Sequence, residues 1–357
     1  MPLGARSASL AEVLDGMTAE AAEELTDRLG GGGVRCHACG HRCLIHEGKR
    51  GICKVRFNER GRLLVPANYV AALACDPTEK KPFFHLLPGS DTLTFGMLGC
   101  DLHCGYCQNF LTSQALRDEA AGVTPRNVSS ERLVEMAREC GARVVGSSYN
   151  EPLITAEWAA EVFRKAKAGG FRTAFISNGN ATARVLDYLR PLTDCYKIDL
   201  KSMSDRAYRQ LGGVVDNILD TVRMVHERGF WEEIVTLVVP GFNDSEKELR
   251  GAAEFIASVS PDIPWHVTAF HQDYRMKENA NTTAEQLVRA CEWGREAGLK
   301  FVYAGNAPGR VGRWENTYCP ACDELLVERR GYRIRKMSLG ADGLCPACGE
   351  KIPGVWA

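Results

Sequence analysis

The chain has 357 residues, 45% of them hydrophobic, which is ample for one large domain with attachments or for two domains. Its net charge of -1, with acids and bases mixed along the chain, gives no basis for broad electrostatic binding of nucleic acid or of an anionic membrane. No apolar run approaches the length of a membrane span, and the first thirty residues, Ala-rich and acidic, lack the pattern of a signal peptide, so the sequence reads as cytoplasmic.

Residues 1–90 read as an N-terminal extension. A Gly run at 30–33 reads as a hinge. It precedes Cys36, Cys39, Cys43 and Cys53, spaced C-x2-C-x3-C-x9-C. Fifteen cysteines in a reducing compartment argue against disulfides, and tight clustering marks thiolate ligation of metal. These four could close a zinc site or hold an auxiliary iron–sulfur cluster that relays electrons. Zinc is favoured, because C-x2-C with a Gly-flanked return resembles a knuckle more than a ferredoxin run. His37, His41 and His46 lie among them as substitute ligands. The isolated Cys75, Cys140, Cys195 and Cys291 read as small buried hydrophobes.

From 91 to 305 short β-rich runs alternate with charged, helical stretches. Strands are expected at 92–97, 143–148, 172–177, 195–200, 232–239, 265–270 and 300–305. The helical stretches between them begin at Ser or Thr in several cases and end in Gly in several. Repeated strand–helix units imply parallel strands with right-handed crossovers. The expected fold is α/β: a partial (β/α)6 TIM-type barrel, with a doubly wound sheet as the alternative. Function should then gather at the carboxyl ends of the strands.

The loop after the first barrel strand reads "GCDLHCGYCQNF" and carries Cys100, Cys104 and Cys107 as C-x3-C-x2-C. A zinc site would need His103 or a distant residue as its fourth ligand. A cubane iron–sulfur cluster needs one external ligand on each of four irons. Three cysteines leave one iron open, and the vacancy becomes the working position. On the same rim, His271 ends the sixth strand, where a barrel gathers substrate ligands. His266 lies within that strand. Residues 306–357 form a third unit. Cys319-x2-Cys322 and Cys345-x2-Cys348 flank the hairpin-like stretch "LLVERRGYRIRKMSL", a zinc-ribbon pattern in which metal supplies folding energy. A rubredoxin-like iron site has the same spacing.

The three-cysteine loop resembles that of the radical S-adenosylmethionine (SAM) superfamily. The resemblance implies a 4Fe–4S cluster on Cys100, Cys104 and Cys107 whose open iron chelates SAM, with Tyr106 near the adenine. It implies reductive cleavage of SAM to methionine and a 5′-deoxyadenosyl radical that abstracts hydrogen from a substrate. "YNEP" stands where the family places a Gly-Gly-Glu segment, which makes Asn150 and Glu151 candidates for the SAM ammonium; a helix-start carboxylate is the plain alternative for Glu151. "SNG" (Ser177, Asn178) and "DLK" (Asp199, Lys201) resemble segments of the enzymes that activate glycyl-radical enzymes. There the Asp helps bind a cation, monovalent in this reading, beside the SAM carboxylate. Ile176 replaces an acidic residue of that pattern, which leaves the cation site weak or absent.

"DPTEKKPFFHLLPGS", "CHACGHRCLIHEGKRGIC", "TYCPAC" and "PWHVTAFHQDYRM" look like the radical SAM member of the AmmeMemoRadiSam system, related to the pyruvate formate-lyase activating enzymes. That resemblance implies Memo-like and AMMECR1-like partners and an electron donor such as flavodoxin or ferredoxin. It leaves the substrate open between a small molecule and a protein, the latter as in glycyl-radical activation. Two readings of other classes compete. An iron–sulfur electron carrier does not need seven barrel strands, and a zinc-rich nucleic-acid binder should show basic and aromatic stripes.

Overall fold

A computed structural model of the chain describes residues 8–357. The seven expected strands form as Asp91–Gly96, Val144–Ser147, Arg172–Ser177, Cys195–Asp199, Trp231–Val238, Trp265–Ala269 and Val302–Gly305, the first to seventh core strands. They are bonded side by side in chain order, all parallel. Their residues are buried almost throughout, as expected where helices cover a parallel sheet. Six strand–helix units and a seventh strand make the expected partial barrel.

An eighth strand, Ala72–Pro77, pairs antiparallel with the first and forms one edge of the sheet; the seventh core strand is the other edge. The two edges do not meet. The barrel is therefore open along one side. Ala72–Pro77 falls inside the stretch expected to be extension, so the core sheet begins earlier in sequence than residue 91.

The helices start where local chemistry allows. Ser129, Thr182, Ser245 and Thr283 each accept a hydrogen bond from the amide three residues on. Each such cap stabilises its helix by about 1 kcal/mol. Trp158 and Phe163 of Ala156–Ala168 pack into the main core with Phe95 and Phe175.

The extension carries two small antiparallel sheets. Gly30–Gly32 is not a hinge: it turns the hairpin between Thr26–Arg28 and Val34–Cys36, with Gly31 at φ 75° and Gly32 at φ 76°. The extension is fastened to the barrel by Arg56, which is 1% exposed. Its guanidinium donates to both Glu157 oxygens, at 3.0 and 2.5 Å.

At the other end, Thr317–Tyr318, Leu325–Arg330 and Arg333–Met337 form an antiparallel sheet, the hairpin expected from sequence. It packs through Leu326, Val327, Ile352 and Trp356 onto Phe84 and onto Phe301 and Tyr303 at the seventh strand. His85 ties this interface together, with Nδ1 2.7 Å from the Pro353 carbonyl and Nε2 2.6 Å from the Tyr303 hydroxyl. Burial lowers its pKa to about 4.

One cysteine expectation is overturned. Cys75 and Cys140 are bonded as a disulfide rather than buried as separate hydrophobes. The edge strand lies against the end of helix Ser130–Glu139, and 65 residues of separation hid this from the sequence. Cys195 and Cys291 are buried as expected.

Candidate active site

The carboxyl ends of the core strands converge on one rim, and the three-cysteine loop crosses it. Gly99 has φ 95°, and a Cβ there would lie 2.9 Å from Val55 Cγ1, so only glycine lets the loop pass under the extension. Cys104 is buried; Cys100 and Cys107 are half-buried. They share an apolar cluster with Leu102, Tyr106, Val239 and Phe270. Burial raises all three thiols, Cys104 to about 11. Such thiols ionise only when something cationic takes the proton's place, as a bound iron does.

Among the described residues the three sulfurs do not all lie within 4.8 Å of one another, too wide for a single tetrahedral ion. His103 does not complete a zinc set; its amide donates to Leu211 O and its ring packs over Gly212. Three thiols spread around a shared apolar space fit a cubane, where each ligand binds a different iron.

Asp101, beside Cys100, was not singled out from the sequence, and the structure ties it to the third strand. It is 1% exposed. Oδ1 accepts from the Asn178 side-chain amide at 2.7 Å, and Oδ2 from that of Asn180 at 2.8 Å. The cluster loop is thereby pinned to the end of the third strand. The signal available was an acid inside a thiolate loop, paired with two Asn in "SNGN".

Glu151 lies under this loop, and its carboxylate is occupied by its own chain. Oε1 accepts from the Leu153 amide at 3.1 Å and the Ser177 hydroxyl at 2.7 Å; Oε2 accepts from the Asn178 amide at 2.7 Å. It caps the turn Pro152–Thr155, the plain alternative read from sequence. Burial and then the Asp101 charge raise its pKa; the three hydrogen bonds pull the other way. Asn150 accepts from the Met97 amide at 2.9 Å and so closes the end of the first strand. Tyr149, at φ 69°, turns the chain to bring both residues in.

Asp199 is half-buried between two ammonium groups. Lys197 bonds Oδ1, and Lys201 lies 3.2 Å from Oδ2. Burial raises its pKa, but the two lysines outweigh that and hold it near 2. Lys197 was not singled out from sequence, and it supplies at Asp199 the positive charge expected of a cation. Tyr106 is buried against Phe242, with ring centres 5.6 Å apart. His271 is exposed on the rim, 2.8 Å from the side-chain nitrogen of Gln108, next to Cys107. His266 points into the barrel and bonds Glu233 at 2.7 Å.

The two outer cysteine groups differ. Cys319, Cys322, Cys345 and Cys348 bring four sulfurs within 4.8 Å of one another, with pairs at 3.6 and 3.7 Å. A tetrahedral zinc with 2.3 Å bonds separates its thiolates by about 3.8 Å. This group could hold one metal ion. Cys36, Cys39, Cys43 and Cys53 do not lie within 4.8 Å of one another as a set. Cys36 and Cys43 pack in the extension's own core, Cys39 in the barrel core, and Cys53 with Val55 and Ile154. The Gly40 amide donates to the Asn180 carbonyl at 2.7 Å, which fastens this segment to the barrel.

Residues 95–256 match the Radical SAM superfamily. An uncharacterized protein of Methanocaldococcus jannaschii is 34% identical over 322 residues, 89% of this chain and 95% of that one. Pyruvate formate-lyase 1-activating enzyme of Escherichia coli is 27% identical over 206 residues, 54% of this chain and 80% of the enzyme. A crystal structure of a domain of pyruvate-formate lyase-activating enzyme from Bacteroides vulgatus, 23% identical, covers 45% of this chain and 98% of its own, with TM-score 0.41. No helix among the described residues is long and apolar enough to cross a membrane.

Proposed function

The chain belongs to the Radical SAM superfamily, and from that premise we propose that it cleaves SAM reductively to abstract hydrogen from a substrate of its own. The observation that carries the reading is the loop of Cys100, Cys104 and Cys107 on the carboxyl rim, with three thiols facing one apolar space and His103 turned aside. A 4Fe–4S cluster held by these three would supply the electron that splits SAM into methionine and a 5′-deoxyadenosyl radical.

The chain's own residues do the rest. Leu102, Phe270 and Val239 keep water from the thiols. Asp101, Asn178 and Asn180 fix the loop on the third strand. Lys201 and Lys197, neutralised in part by Asp199, offer donors for the SAM carboxylate, and Tyr106 offers a face for the adenine. Glu151 keeps one lone pair free for the ammonium after its three internal bonds.

The C-terminal quartet would hold structural zinc. Its four positions are filled by protein, so it stabilises the module and does no chemistry. The N-terminal quartet, too spread for one ion, suits an auxiliary iron–sulfur cluster better than zinc. A cytoplasmic setting, a flavodoxin or ferredoxin donor and Memo-like and AMMECR1-like partners belong to the same reading, as in the AmmeMemoRadiSam system.

The test is anaerobic reconstitution, reduction in the presence of SAM, and chromatography of the products. Release of 5′-deoxyadenosine is expected, with about eight iron and one zinc per chain. A fully loaded, reduced protein that leaves SAM intact rejects the reading. A second reading, activation of a glycyl-radical enzyme, is favoured by the similarity to the E. coli activating enzyme. Its test is a glycyl radical signal in a partner polypeptide.

A further inference from the structure

The open side of the barrel is not empty surface. A cavity of about 640 Å³ lies there, between Pro77 and Lys80 beside one sheet edge and Ala304 and Gly305 on the other. It is large enough for a drug-sized molecule. At one end it reaches Gln108, the residue after Cys107, and His271. At the other end its wall is the hairpin of the C-terminal module, which presents Arg330 and Arg333.

These two arginines face each other directly across the hairpin, closing the Gly331–Tyr332 turn. Directly opposed residues put their side chains on the same face, where like charges destabilise the pair. Neither forms an ion pair among the described residues, whereas the third cation of the wall, Lys80, is bonded to Asp76 at 3.0 Å. Of the two carboxylates of the wall, Glu79 accepts from Gly89 N–H through Oε1 and lies 3.9 Å from the Arg329 guanidinium, with Oε2 unpartnered, and Glu315 accepts from Gly309 and Gly331 N–H. Tyr332 bonds Asn306 at 3.1 Å and holds the hairpin tip to the end of the seventh strand. Between the two ends the lining is largely apolar, with Pro82, Phe84 and Ala307.

We infer that this cavity is the substrate pocket and that it takes a small organic anion. Its carboxylate or phosphoryl group would lie on Arg330 and Arg333, its apolar body along the sheet edge, and its reacting end toward Gln108 and His271. Paired guanidinium groups suit an oxyanion because each offers a rigid fork of donors. The pocket's role rests on the radical SAM reading; its ligand chemistry does not.

The probe is anilinonaphthalene sulfonate, an oxyanion on an apolar body, titrated into the reconstituted full-length protein without reductant. Uncharged phenylnaphthylamine is titrated alongside. The sulfonate should bind at one site per chain and more tightly than the uncharged dye. Arg330→Gln and Arg333→Gln should each weaken it about tenfold, the effect of losing one charge-assisted bond. The uncharged dye should not respond to either change. Both variants should melt no lower than the wild type, because each removes one of two opposed like charges. Equal sulfonate binding in the variants, or equal binding of the two dyes, would overturn the anion site. A variant melting well below the wild type would overturn the argument from unpaired charge. Release of 5′-deoxyadenosine by the wild type is read separately: sulfonate binding as expected without that release keeps the anion site and rejects the radical reading.

Discussion

Replacing Glu151 by Ala separates two roles for this carboxylate, a clamp between strand ends and a ligand for SAM. The substitution strands three buried donors: the Leu153 and Asn178 amides and the Ser177 hydroxyl. The hydroxyl can rotate to another acceptor; the two amides cannot move without unwinding the rim. An unsatisfied buried donor costs about 1–3 kcal/mol, so the range for two is about 2–6 kcal/mol. Removing a buried carboxylate that Asp101 repels gives some of this back, which sets the working figure at about 2–3 kcal/mol. Set against a typical total of about 5–15 kcal/mol, that is a large fraction. The assay is urea unfolding of the metal-free protein, followed by the fluorescence of its tryptophans, including Trp158 in the adjoining helix. With a slope of roughly 2–3 kcal/mol per molar urea, the midpoint should fall by about 1 M. SAM binding to the reconstituted variant is measured in parallel. An unchanged midpoint together with a ten- to hundredfold loss of SAM affinity, about 1.5–3 kcal/mol for one charge-assisted bond, would refute the clamp and leave SAM binding as the role of Glu151.

Cys104→Ala should lose about four of the eight irons, with the cubane absorption of the rim cluster, and abolish SAM cleavage while leaving the apo protein's melting temperature near that of the wild type; cleavage at the wild-type rate would remove the cluster assignment. Cys345→Ser should release about one metal ion per chain and lower thermal stability with the cubane spectrum intact, because its quartet binds far from the rim loop in sequence and contributes folding energy alone. Loss of the cubane signal in that variant would join the two sites. His85 supplies a pH dependence. Its folded pKa of about 4 lies below the ordinary 6.5, so the fold holds it neutral and the unfolded chain takes up the proton first. That contribution is complete above pH 6.5 and is lost as pH falls from 6.5 to 4, by up to about 3 kcal/mol. His85→Gln should therefore flatten the acid limb of stability against pH across that window, and an unchanged slope would mean that His85 does not carry it.

The sequence by itself determined much of the barrel. All seven core strands lie within two residues of their expected bounds, because period and turn chemistry are local: β-rich runs, Ser or Thr caps, and Gly after the helices. It determined the three-thiol loop and the C-terminal quartet for the same reason, since ligands at C-x2-C or C-x3-C spacing are set by a few residues of backbone. What only the tertiary structure decided depends on contacts distant in sequence. The disulfide joins residues 65 apart. Glu151 is a clamp because the third strand delivers Ser177 and Asn178 beside it. Asp199 sits between two lysines because Lys197, on the same face of its strand, points to the same side. The N-terminal quartet had spacing as suggestive as the C-terminal one, yet its sulfurs stand near one another without closing to within 4.8 Å as a set. There the extension packs onto the barrel, with Cys39 and Cys53 buried against it. In the C-terminal module the hairpin between them brings the two C-x2-C pairs together, with Cys319 and Cys345 buried in the core the module shares with the barrel.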